Sequence, residues 1–400
     1  MEKLKRDALI DFDKLLMYGT DLQVFGDKAL TVVKDLRSSL DELRKEYLED
    51  EDQPEQPPEE ELRLEDLKVA VEMVKDCCKD ESLIGGHPTY LTMKNLNSYL
   101  IGTSSKGLKV LEDATVLFSG NLPQDGRDLE DALYYPPLDC YFLATQGMLF
   151  RKDIDDKPAY LFMEVKCGWK SGAFLSYSNF GQRLIVNKDC KNIAVINPST
   201  KEVEIELEDD VAQGIWDFVL FGEQEDKVLF VTRGGDLFVY GLDYAHKTGK
   251  VIAKYREYLK DKNEIPFSIS VCDKNEYALV EFGWRSLYKN FCTRMIILKI
   301  TQYALFKTAS IDQHAQEIGP TWAIDCFGYA GTHILWVGLA KNTKTLVQVF
   351  DYDTETAEFK ELKDKRVTHQ ERNPYKLDRL GDRVYYAGFK GKLMSLGLSN

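Results

Sequence analysis

The sequence predicts a mainly β fold: a seven-bladed β-propeller preceded by an N-terminal α-helical module. Three observations carry this expectation. From residue 89 onward the apolar period is two, with β-branched and aromatic runs separated by turn residues. Seven paired runs recur, their first strands starting at 98, 140, 183, 227, 276, 332 and 383, a repeat of 42 to 56 residues. Units of ~40–50 residues with about four strands each have the size of propeller blades. The clearest copy is 227–244, where two β-rich runs flank Arg233-Gly234-Gly235-Asp236. Glycine takes φ > 0 at little steric cost, so this turn can close a tight hairpin.

The chain begins with a helical pattern over 1–49. Leu22, Val33, Leu36, Leu40, Leu43 and Tyr47 fall at coiled-coil spacing among charged residues. This seam predicts either a homodimer through the helix or an amphipathic helix folded back on its own chain. Residues 50–61 are acidic and carry Pro54, Pro57 and Pro58, which forbid a continuous helix and predict a solvated linker. A second helix is expected over 62–81, with Leu64, Leu67, Val71, Val74 and Cys78 on one face. The propeller is assigned to 82–400.

The paired runs are 98–103 with 108–111, 140–144 with 148–151, 183–187 with 193–197, and 227–232 with 236–240. They continue at 276–281 with 293–300, 332–338 with 345–351, and 383–387 with 392–396. Innermost strands are expected at 132–135, 172–177, 215–221, 266–271 and 321–327, and outer ones at 203–207 and 357–362. No fourth strand follows 396 in this pattern, so a segment within 82–93 is expected to pair into the last blade and remove its exposed edge.

Some hairpins resemble a known family. Residues 346–362, with Val-Phe-Asp-Tyr-Asp-Thr-Glu-Thr, resemble the outer strands of a kelch repeat, and 193–207, with Asn-Pro-Ser-Thr-Lys, are similar to the same element in kelch and F-box-associated propellers. Gly234-Gly235 is similar to the kelch double glycine. Phe359 and Ile205 stand where kelch has its outer-strand Trp, and no Trp-Asp dipeptide recurs as in WD40 repeats; Trp216-Asp217 falls in an expected inner strand. The resemblance covers isolated hairpins of a degenerate kelch-like or WD40-like propeller. It implies binding of other proteins.

Charge bounds the function. The net charge is −14, with 44% hydrophobic and 30% charged residues, and no long basic run. Such a chain repels nucleic-acid backbones and anionic lipid, so neither is expected as a partner. No apolar run approaches the ~20 residues that span a bilayer, and the first residues lack signal- or transit-peptide character. The eight cysteines show no Cys-x-x-Cys spacing, which fits free thiols in a reducing compartment, and the cytoplasm is expected. The adjacent Cys77 and Cys78 could be redox-active, but on the expected helix neighbouring cysteines would point in different directions.

Catalytic motifs for phosphate, zinc or acyl chemistry are not found, and His87, His246, His314, His333 and His369 share no ligand spacing. No cofactor or metal is implied. Asp217, Asp325 and Asp378, with Ser268 and Ser270, would line the channel. There they would either converge to bind a cation or act as acid and base, or accept from backbone amides or face channel water. Recognition is expected from aromatic and Arg residues in loops and strand ends: Tyr135, Trp169, Trp284, Arg285 and Tyr288, with 283–290 read as a long insert. The leading expectation is a non-catalytic scaffold with a protein partner. The alternatives are an adaptor in a ubiquitin-ligase or cytoskeletal assembly, and a propeller enzyme acting on a small molecule at the channel mouth.

Overall fold

The computed structural model describes residues 68–76 and 88–399, apart from the connections at 104–106, 114, 124–128, 146, 165–174, 189–191, 208–213, 286–289, 313–320, 341–344, 370–377, 381–382 and 388–391. The expected N-terminal helices, their seam from Leu22 to Tyr47, and the acidic linker lie outside the described residues.

Seven antiparallel sheets follow one another along the chain and form a seven-bladed β-propeller. Blade 4 shows the plan. Ile215–Phe221 is innermost, followed by Lys227–Thr232, Asp236–Asp243 and the outermost Thr248–Arg256. All seven second-to-third strand pairs read from the sequence are second and third strands of blades. They were legible because both faces of a middle strand are buried. In Lys227–Thr232, Val228 and Phe230 enter the core shared with blade 3, while Leu229 and Val231 enter the core shared with blade 5. Period-two alternation therefore distributes one apolar run between two cores.

Seven apolar clusters match the seven blade-to-blade interfaces, and the last joins Tyr385 and Leu393 of blade 7 to Leu91, Tyr99 and Ile101 of blade 1. The innermost strands begin and end differently from expectation, as Leu129–Tyr135, Leu175–Ser178, Glu264–Val271 and Thr321–Ala330, with Ile215–Phe221 as read. In blade 6 the fourth position is split between Phe359–Glu361 and Val367–His369, each pairing a different half of Thr345–Asp353.

Two expectations are corrected at the N-terminal side. Where the sequence predicts a helix over 62–81, Lys68–Asp76 is a strand, and it closes blade 7. It pairs antiparallel with Lys392–Ser399 from Lys68↔Ser399 to Asp76↔Lys392. The segment expected to close the ring, 82–93, instead contributes Pro88–Asn95, the innermost strand of blade 1. Lys-Val-Ala-Val-Glu-Met-Val satisfies helical and strand periods at once, and the open edge of the final strand decides between them. Contacts divide the chain into Met1–Glu61 and Leu62–Asn400, which puts Lys68–Asp76 in one unit with the blades. Among the described residues, no helix is long and apolar enough to cross a membrane.

The Arg-Gly-Gly-Asp turn serves packing. Gly235 has φ +83° while Gly234 stays at negative φ. A Cβ on Gly235 would lie 2.3 Å from the Glu257 carbonyl oxygen. The Glu257 N–H donates to the Gly235 carbonyl at 3.0 Å, so this glycine lets the connection leaving blade 4 lie against its own hairpin.

Candidate functional site

The channel carboxylates fall on innermost strands, and they are engaged with backbone. Asp217 accepts from its neighbour Phe218 N at 2.9 Å and from Ile269 N, on blade 5, at 3.0 Å. Asp131 repeats this with Ala132 N and with Leu175 N of blade 3. Asp378 of blade 7 accepts from Met93 N of blade 1 at 2.6 Å, and Thr92 Oγ1 accepts from Tyr134 N of blade 2 at 2.9 Å. A short acceptor on one inner strand thus takes the amide of the next. Hydrogen bonds to charged groups contribute about 1.5–3 kcal/mol each, so these residues hold neighbouring blades together.

Asp325 differs. It accepts from Cys326 N at 2.8 Å and from Ser270 Oγ at 3.4 Å, and burial pushes its pKa up to about 6 against the opposing pull of Arg379. Asp217 and Asp325 therefore serve separate blade junctions, and the convergence required for paired acid–base chemistry is not what their bonds describe. Among the described residues, no three His, Cys, Asp or Glu side chains are grouped to hold a metal ion.

Antiparallel pairing sorts the connections. First-to-second and third-to-fourth turns lie on one face, here the turn face. Second-to-third turns and blade-to-blade connections lie on the other, the loop face. The expected recognition residue Trp284 is at the loop-face end of Tyr277–Arg285, half-buried and in register with Glu264 and Phe291. Half of the supposed insert 283–290 is strand: Arg285 pairs with Asn290, leaving 286–289 between them. The side chain of Arg285, and Tyr288 and Trp169 altogether, lie outside the described residues. Tyr135 is corrected: it is 2% exposed, donates its hydroxyl to the Gln182 carbonyl at 2.9 Å, and packs edge-on against Phe142 and Tyr177. An aromatic at a strand end looks the same in sequence whether its hydroxyl meets water or a carbonyl.

Around Trp284 the loop face carries a network that sequence reading missed. Arg294 donates to Glu264 Oε2 at 3.0 Å, to Glu257 Oε1, and to the Tyr258 carbonyl at 2.7 Å, with its guanidinium 4.8 Å from the Phe282 ring. Thr293 also donates to Glu264, and Lys307 donates to Glu257 at 3.1 Å. Burial alone would raise the Glu257 pKa, but hydrogen bonds from Tyr255 and Lys307 and the charge of Arg294 hold it below its ordinary value. The network fixes the connection after Arg256, and from it Tyr258 projects 78% exposed, with the Arg256 guanidinium 5.7 Å from its ring. Nearby, Arg233 lies 5.1 Å over the Trp216 ring. Only Tyr258 gave a legible hint, an aromatic within the polar run Arg256-Glu257-Tyr258-Leu259-Lys260.

No known protein-family model matches the chain, and no curated protein matches it. Solved structures do. A protein from Lactobacillus plantarum aligns with TM-score 0.54 at 12% identity, over 72% of this chain and 86% of that one. BBS1N, in a structure of its complex with ARL6DN, aligns at 0.53 and 12% identity, over 83% and 96%. The WD40 β-propeller domain of Doa1 aligns at 0.52 and 12% identity, over 79% and 94%. Identity this low shows the fold alone: a propeller with WD40-like structural neighbours.

Proposed function

We propose that this chain is a non-catalytic protein-interaction scaffold that holds a partner on the loop face at blades 4 and 5. The observation that carries this reading is Tyr258, exposed and stacked by Arg256 on a connection clamped by Arg294. Tyr and Arg dominate interface hot spots, and an anchor fixed before binding loses little conformational entropy. Trp284 and Arg285 end their strand on the same face, and Tyr288 and Trp169 complete the proposed anchors; Tyr135 does not belong to them. BBS1N, whose structure is of a complex with ARL6DN, supports partner binding by a propeller of this kind.

The proposal keeps the kelch-like character of the hairpins and a cytoplasmic setting. Cys140, Cys272 and Cys326 are free and buried, and burial pushes the Cys140 and Cys326 thiols up to about 12, which suits inert thiols in a reducing compartment. It also keeps the homodimer through Leu22, Val33, Leu36, Leu40, Leu43 and Tyr47.

The test compares captured proteins, identified by mass spectrometry, for the full chain, for residues 62–400, and for full chains carrying Tyr258→Ala or Arg256→Ala. The same partner is expected from the first two and its loss from the variants; undiminished capture by both variants would move the site elsewhere. Cutting at 62 preserves Lys68–Asp76, which a cut at residue 80 would remove. Light scattering on the full chain tests the dimer, and a monomer at high concentration sinks it.

A further inference from the structure

On the turn face, the connection between the first two strands of blade 3 is held by three blades. Asn179 N and Phe180 N both donate to Glu225 Oε2 of blade 4. Gly181 N donates to Ser178 Oγ at 2.9 Å, and Tyr135 of blade 2 donates its hydroxyl to the Gln182 carbonyl. Gln182 sits at φ +49°. The Tyr244 ring closes the underside of the turn, where a Cβ on Gly181 would lie 2.9 Å from it. At the apex Phe180 is 63% exposed. A lone exposed apolar residue is ordinary on a protein surface. This one is distinguished by a backbone that neighbouring blades prevent from turning inward.

The turn of blade 4 that adjoins Phe180 is acidic. Glu223, Glu225 and Asp226 occupy the adjoining turn of blade 4, and they make no ion pair among the described residues. Of the nearby cations, Arg183 and Lys247 both meet Glu204, at 2.5 and 3.2 Å, and Lys227 follows Asp226 in the chain.

We propose that the turn face of blades 3 and 4 docks a basic peptide segment of a partner protein, with one apolar side chain of that segment on Phe180 and its Lys or Arg groups beside Glu223, Glu225 and Asp226. Charge complementarity selects this occupant. An acidic segment would meet repulsion, while a basic one gains steering from Glu223 and Asp226, which make no ion pair among the described residues. The inference rests on the scaffold reading, but on the opposite face from Tyr258, so the two surfaces fail separately.

A random dodecapeptide library displayed on phage and panned on the full-length chain tests it, with enriched peptides synthesised and measured by fluorescence anisotropy. Enrichment of peptides carrying net positive charge and at least one large apolar residue is expected. Phe180→Ala and the double variant E223K/D226K should each weaken binding tenfold or more, Tyr258→Ala should leave it unchanged, and affinity should fall as salt rises. Glu225 is left intact because it holds the turn, and thermal unfolding verifies that the variants keep the fold. Neutral or acidic enriched peptides, no enrichment, or binding undiminished in Phe180→Ala or in E223K/D226K would overturn the proposal. A peptide lost with Tyr258→Ala but retained by Phe180→Ala would support the loop face instead.

Discussion

On the turn face, blades 3 and 4 are joined by Glu225 accepting two backbone amides at the surface; on the loop face, blades 4 and 5 are joined by Arg294 set between Glu257 and Glu264, all three nearly out of solvent. Both devices hold a connection so that one aromatic stands exposed, Phe180 in the first case and Tyr258 in the second. The difference lies in where the charge goes. The loop-face carboxylates are matched internally by Arg294 and Lys307 and leave Arg256 beside the exposed ring. On the turn face Glu225 holds two backbone amides without a cation, and Glu223 beside it is exposed. One repeat thus yields two surfaces of different electrostatic character, and that character depends on which charges the blade junction absorbs.

The comparison breaks most visibly at Arg294. Arg294→Ala leaves Glu257 and Glu264 without their shared cation, and a loss of about 3–5 kcal/mol is expected, read from urea unfolding. A loss below about 1 kcal/mol would mean that water replaces the guanidinium and that the loop face is not held by buried charge.

Asp217→Ala removes the acceptor of the Ile269 amide at a junction common to several blades, and should cost about 1–3 kcal/mol by the same measurement.

Asp325→Asn is expected to act through pH. The folded pKa of about 6 lies above the ordinary 3.8, so the protonated form is favoured by folding. Its stabilisation is present below about pH 4 and is lost as pH rises through 6. At ~1.4 kcal/mol per pKa unit this is about 3 kcal/mol at most, and less because this half-buried group is partly screened by solvent. D325N keeps an oxygen for Cys326 N and Ser270, so the urea midpoint of the wild type should fall from pH 4 to pH 7 relative to that of D325N. Parallel profiles would show that Asp325 titrates normally.

The smallest effects belong to the exposed aromatics. Phe180→Ala and Tyr258→Ala should change stability by no more than about 0.5 kcal/mol, checked by thermal unfolding. A larger loss at either position would mark it as part of the packing and weaken its role in recognition.

How much was legible follows from how local each signal is. The middle strands announced themselves because Val228-Leu229-Phe230-Val231 must satisfy two cores at once. The closing strand did not, because Val69, Val71 and Met73 fit a strand only once Lys392–Ser399 offers an edge more than three hundred residues away. The channel aspartates were legible as residues lining inner strands, and the amide-bonding alternative is the one their geometry follows. The Arg294 network was invisible, since Glu257, Glu264 and Arg294 are brought together by blade packing and no short spacing joins them. Phe180 gave no signal either. Its distinction is the hydrogen bonding of its neighbours, to which Tyr135 contributes after being mistaken for a surface residue.

The strand Lys68–Asp76 gives the propeller a schedule. It leaves the ribosome before any blade exists, yet its partner Lys392–Ser399 is translated roughly three hundred residues later, a delay on the order of tens of seconds at usual elongation rates. By the end of that interval blades 1 to 6 can stack, while Lys68–Asp76 still waits for the strand it pairs. Until Lys392–Ser399 is made, the propeller keeps an open edge at blade 7, and its ring can close only then.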